Sequence, residues 1–145
     1  MKVLVTGAGG FIGSRLASKL VLEGHQVFGT IHDLPSQVDK MQVINADLTE
    51  DDFEIPDEKF DVVFHLAAAT PLVKDKKKQK KINYDGSVNL FNKIKDKTDF
   101  IIYASGLGVF GNPNGVVDER SAIKPDTDFV KIRLDAQRFL EESCK

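Results

Sequence analysis

Short apolar runs alternate with stretches of helical periodicity along the whole chain. Val3-Leu4-Val5 comes first, and Ile12, Leu16 and Leu20 then recur at four-residue steps until Gly24, a residue suited to the C′ position of a helix. Residues 25–33 form a second β-prone stretch closed by Pro35, and residues 41–44 a brief third. Residues 61–68 are apolar at successive positions, as in a central parallel strand covered on both faces. A helix over 83–95 follows, with Val88, Phe91 and Ile94 sharing a face, and residues 99–105 read as a fifth strand. From Thr127 to Ser143 a last helix places Phe129, Ile132, Ala136, Phe139 and Leu140 on one side, with Asp126 or Thr127 as its cap. Strand and helix signals alternate, and right-handed crossovers then permit little besides one arrangement. The prediction is an α/β fold, a doubly wound parallel sheet of five strands in the order 3-2-1-4-5 between helical layers (α/β/α).

Candidate chemistry sits where the first strand meets the first helix, at Gly7, Gly10 and Gly13. Gly7 can take the backbone angles of a tight turn, Gly10 leaves room for a pyrophosphate, and Gly13 lets the helix lie against the strand. Unpaired N–H groups and the positive end of the helix dipole would face that phosphate together. The end of the second strand would then meet the adenosine ribose. An acid there favours NAD and a basic residue accommodates the 2′-phosphate of NADP. His32 and Asp33 give a mixed signal, so either cofactor fits.

Bulk properties narrow the partners. The 145 residues make one domain, and 41% apolar with 29% charged residues suits a globular chain. A net charge of −2 gives no general reason to expect nucleic acid or membrane partners. Lys74 to Lys81 is strongly basic, yet without interleaved aromatics or arginine it reads as a solvated helix face. Glu50, Asp51, Asp52 and Glu54 read as an acidic surface, and Pro56 as a helix breaker. One cysteine, Cys144, cannot form an internal disulfide, and no signal-peptide pattern or bilayer-length apolar run occurs, which fits a cytoplasmic setting.

Thr6-Gly7-Ala8-Gly9-Gly10-Phe11-Ile12-Gly13 as a whole resembles the N-terminal fingerprint of the extended short-chain dehydrogenase/reductase family, which includes the nucleotide-sugar epimerases and dehydratases. The resemblance implies a Rossmann-like domain over 1–145 with NAD or NADP at Gly7, Gly10, Phe11, Ile12 and Gly13. It extends to Asp47-Leu48, where the family's aspartate faces the adenine amino group, although an Asx turn or an N-cap is an equally ordinary role for Asp47. His65-Leu66-Ala67-Ala68 is similar to a family motif whose small residues let the backbone pass beside the cofactor, with a structural role for His65. Gly29 to Asp33 looks like a segment of NADP-using reductases in which arginine stands where His32 is. Asn83 matches the family asparagine that orders active-site hydrogen bonds, the fifth strand's continuation through residues 106–111 looks like its Ser-Ser-x-x-Val-Tyr-Gly, turn-rich residues 112–118 read as an active-site rim loop, and Asp118-Glu119 matches the acidic pair that often precedes the final helix in relatives. The helices after the fourth and fifth strands imply a homodimer.

The resemblance fails at the catalytic positions. Family chemistry needs a tyrosine as acid/base and a lysine four residues later, because a phenol at its ordinary pKa of about 10 is a poor base near neutrality. Those positions are Phe129 and Arg133 here, and the serine or threonine position is Gly106, with Ser105 one place earlier. Tyr84 and Tyr103 do not restore the pair, being followed four residues later by Val88 and Leu107. Arg133 could still donate to ribose hydroxyls. The resemblance also spans only about the first half of a typical relative, so the substrate-binding C-terminal region is absent from this stretch. Two readings follow: an NAD(P)-binding, oxidoreductase-like chain of the epimerase/dehydratase type that takes a small-molecule substrate, or a non-catalytic module that senses dinucleotide or binds another protein.

Overall fold

A computed structural model describes residues 1–144. Val3, Leu4 and Val5 lie within β1 (Lys2–Thr6) and are fully buried, so β1 is central. It pairs in parallel with β2 (Gln26–Ile31) on one side and β4 (Val62–His65) on the other, and β3 (Gln42–Asn45) and β5 (Ile101–Tyr103) extend the sheet. The order is β3-β2-β1-β4-β5, as the alternation predicts.

Alternate residues of each central strand feed two cores. Val3, Val5, Val27 and Val62 pack under α1 (Phe11–Leu22) with Ala17 and Leu20. On the other face Leu4, Phe28 and Val63 pack with Leu90 and Ile94 of α3 (Gly86–Ile94). Helix α1 stops in a Schellman arrangement at Gly24 (φ +81°), where the Gly24 N–H bonds Val21 and the His25 N–H bonds Leu20.

Helical phase differs from the expectation at two places. In α1 the buried face runs through Gly13, Ala17 and Leu20, leaving Ile12 64% exposed, because close helix–strand approach at Gly13 turns the neighbouring residue outward. In α3 the buried line is Ser87, Leu90 and Ile94, with Val88 and Phe91 only half-buried, because Phe91 turns toward Phe139, ring centroids 5.6 Å apart. The helix expected over 83–95 is also broken: α2 (Lys76–Lys80) leads into a π-helical turn (Lys81–Asp85) before α3 begins.

The expected alternation lapses between β2 and β4. Neither connection there holds a helix, as Pro35 and Pro56 deny the backbone donors a helix needs. Phe53, Ile55 and Phe60 fill the core in a helix's place, while Asp51, Asp52 and Glu54 face water as expected. Helix α4 (Asp128–Ser143) is capped by Thr127, whose Oγ1 accepts from the Val130 N–H at 3.3 Å. It packs mainly on α2, the π turn and α3, and Phe139 stands edge-on to Tyr84 and Phe91. No helix among the described residues is long and apolar enough to cross a membrane.

Candidate functional site

An open cavity of about 810 Å³ lies at the carboxyl ends of the strands, where the chain direction of the connections reverses between β1 and β4. Its floor is the turn from β1 to α1. Gly7 holds φ +70°, and a Cβ there would lie 2.9 Å from the Cα of Ala67. A Cβ at Gly13 would collide with the Gly7 carbonyl, so the helix can approach the strand only without one. At Gly10 the nearest atom to such a carbon is 3.2 Å away, and no side chain caps the amides of the first turn of α1. The 12-residue helix therefore starts with uncapped amides, and Gly7, Gly9 and Gly10, which lead into it, line the cavity.

Gly7, Gly10, His32, Asp33, Asp47 and Leu48 all line the cavity, and Leu66, Ala67 and Ala68 close it from the β4 side. Phe11, Ile12, Gly13, Asn83 and Arg133 do not. Phe11 is 74% exposed beneath the Arg15 guanidinium, 3.8 Å from its ring centroid. His32 bridges two carboxylates, with Nδ1 3.3 Å from Asp33 and Nε2 3.4 Å from Asp47. Asp47 forms the Asx turn, accepting from the Thr49 amide at 2.9 Å and its hydroxyl at 2.8 Å, while its other oxygen faces His32. Burial pushes its carboxyl up, but the Thr49 hydrogen bonds and the charges of His32 and Lys81 outweigh that and hold it below its ordinary value.

Behind the cavity wall runs a buried chain of polar groups whose donors can be ordered. Thr6 Oγ1 accepts from the amides of Leu66 (3.1 Å) and Ala67 (3.0 Å), so its own proton goes to His65 Nδ1 at 2.8 Å. Ser87 donates to the Asn83 carbonyl at 2.8 Å, so it accepts from His65 Nε2, also at 2.8 Å. His65 is therefore the neutral Nε2–H tautomer. Burial, with the Arg133 charge second, lowers its pKa to about 4. The Asn83 amide completes the chain by accepting from the Ala69 N–H at 2.8 Å.

The positions expected from the resemblance to take part in catalysis lie outside the cavity lining, at the end of β5 and the start of α4. Arg133 donates to the Ala104 carbonyl and lies 5.5 Å over the Tyr103 ring. The Tyr103 hydroxyl reaches the Arg133 carbonyl at 3.4 Å, and burial, only partly offset by the Arg133 charge, raises its pKa. Ser105 donates to Gln137 at 2.6 Å, Phe129 is half-buried, and Gly106 has nothing within 4 Å of where a Cβ would stand. No three metal-ligating side chains converge among the described residues.

Sequence reasoning missed four residues. Gly9 is required because the Leu34 backbone lies against it, and the doubled glycine was the available signal. Thr6 becomes legible only through the register that sets it opposite His65. Lys77 and Lys78, read as a solvated face, line the cavity.

A glycine turn at the switch point of a parallel 3-2-1-4-5 sheet defines a Rossmann-type nucleotide fold. Residues 3–136 match the model of the NAD dependent epimerase/dehydratase family, and the chain belongs to that family. It is 33% identical to UDP-glucose 4-epimerase of Mycolicibacterium smegmatis over 97% of its length and 50% of that protein's. Among solved structures it resembles MoeE5 in complex with UDP-glucose and NAD (TM-score 0.85, 26% identity, 99% of this chain and 49% of that one). UDP-glucuronic acid 4-epimerase from Bacillus cereus in complex with NAD is similar as well (TM-score 0.79, 28% identity, 99% and 51%). The chain thus spans about half the length of the relatives it matches.

Proposed function

We propose that this chain binds NAD or NADP in the cavity above the β1–α1 turn and belongs to an oxidoreductase-like protein acting on a nucleotide sugar or similar small molecule. The observation that carries the reading is the glycine turn into the uncapped start of α1, which lines a cavity walled by Asp47 and Leu66–Ala68, in a chain whose family is NAD-dependent. The pyrophosphate would meet the free amides beside Gly10, and a ribose would meet the carboxylates around His32. Bound dinucleotide would supply hydride transfer. The proton that must accompany it has no tyrosine to move it at position 129, which favours an impaired enzyme or a sensor of the bound dinucleotide.

Titration calorimetry with NAD and NADP tests the reading, using Gly10→Asp as the comparison. Gly10 has extended backbone angles (φ −80°, ψ 172°) that an aspartate adopts readily, so the variant should fold while its carboxylate occupies the pyrophosphate space. The native chain should bind and the variant should not. No heat from either cofactor on folded native protein would refute the proposal.

A further inference from the structure

The lysine run divides by helical phase into two sets with different surroundings. Gln79, 6% exposed, fixes the rotation of α2 by donating its side-chain amide to the Val73 carbonyl at 2.5 Å. That rotation turns Lys76 and Lys80 toward α4 and the π turn: Lys76 pairs with Asp128, and Lys80 lies 5.8 Å over the Tyr84 ring. Lys77, Lys78 and Lys81, at i, i+1 and i+4, line the cavity instead. Lys81 is held by Glu50 at 2.6 Å. Lys77 and Lys78 are exposed, and no ion pair found among the described residues includes either of them. The backbone amides of both are capped by Asp75, at 2.8 and 3.2 Å, which sets where their side chains leave the helix.

The cavity therefore carries a charge gradient. Asp33 and Asp47 stand on the wall made by the ends of β2 and β3, and two uncompensated ammonium groups stand on the α2 wall. We infer that Lys77 and Lys78 form an anion subsite for phosphate carried on the adenosine half of the ligand, a deepening that rests on the nucleotide reading above. Carboxylates suit ribose hydroxyls and repel phosphate, so a ligand bearing both would enter with its phosphate toward α2 and the α1 terminus. Lysine serves this purpose as a mobile point charge and needs no fixed fork geometry, which agrees with two exposed side chains on one short helix.

The test compares probes that differ only in phosphate: adenosine, ADP and 2′,5′-ADP, titrated into the native chain, a Lys77→Ala/Lys78→Ala variant and a Lys80→Ala control. The double variant should lose about fivefold to tenfold in affinity for a phosphate-bearing probe, while adenosine changes less than about twofold and the control changes nothing. Salt raised from about 0.05 to 0.5 M should erase the difference between native and variant. Which of ADP and 2′,5′-ADP loses more assigns the lysines to the 5′ or the 2′ phosphate. An equal loss for adenosine and for the phosphorylated probes, or no loss at all, overturns the subsite and leaves the nucleotide reading standing. Failure of the native chain to bind any of the three overturns both.

Discussion

At the residue scale the most constrained group is His65, which has one acceptor and one donor and uses both inside the protein. A second proton would have to go on Nδ1, where the Thr6 hydroxyl already points its hydrogen, and Thr6 cannot reverse because two amides occupy its lone pairs. The native pKa of about 4 lies below the ordinary 6.5, so the unfolded chain binds this proton first as pH falls. The contribution of neutral His65 is complete above about pH 6.5 and is lost between there and pH 4, roughly 3 kcal/mol in all. An NMR titration reads this directly. The His65 ring signals should hold their neutral values down to about pH 5, with Nε2 carrying the proton, whereas an ordinary transition near 6.5 would disprove the donor order.

At the scale of elements, the π turn does what an uninterrupted helix could not. The Gly86 amide reaches back to the Lys81 carbonyl, five residues earlier, and the extra residue turns Asn83 into the interior at 2% exposure. There its side chain pairs with Ala69 like a neighbouring strand, accepting from its amide and donating to its carbonyl at 3.4 Å. Asn83→Ala should leave the buried Ala69 amide without a partner and cost about 1–3 kcal/mol in urea unfolding. An unchanged midpoint would show that water replaces the amide. This turn also marks what could be read from the sequence. Residues 83–94 carry enough helical periodicity to announce a helix, but the face it buries is Ser87–Leu90–Ile94 and not the expected Val88–Phe91–Ile94, because Phe91 turns toward Phe139 of a helix distant in sequence. The strands were legible because β1 and β4 are apolar at successive positions, and the β1–α1 turn because glycines stand where backbone atoms touch. The lysine wall was not, since its two faces differ only through the anchoring of Gln79 on Val73, a contact that no spacing announces.

For the whole molecule, the cavity and the end of β5 with the start of α4 are held by different sets of contacts. The cavity is lined by the glycine turn, Asp33, Asp47 and the small-residue wall Leu66–Ala68, whereas the end of β5 and the start of α4 are held by contacts of their own. Arg133 is turned onto the Ala104 carbonyl, Ser105 onto Gln137, and the Tyr103 phenol is buried with a raised pKa. Asp128, a nearby carboxyl, is held below its ordinary value by Lys76, which makes it a weak proton donor near neutrality. Positioned acid/base groups contribute about 10²–10⁴-fold to proton transfers of this kind. The 145-residue chain should therefore bind dinucleotide yet interconvert UDP-glucose and UDP-galactose at less than about one-hundredth of the rate of a relative that has both tyrosine and lysine. A coupled assay of the product, with cofactor absorbance followed in the same cuvette, measures this. The triple variant Gly106→Ser, Phe129→Tyr and Arg133→Lys supplies the comparison, because a Cβ at Gly106 meets open space and Phe129→Tyr adds only a hydroxyl. Turnover by the unmodified chain at a relative's rate would mean that a different residue, such as Asp126 or Glu119, carries the proton.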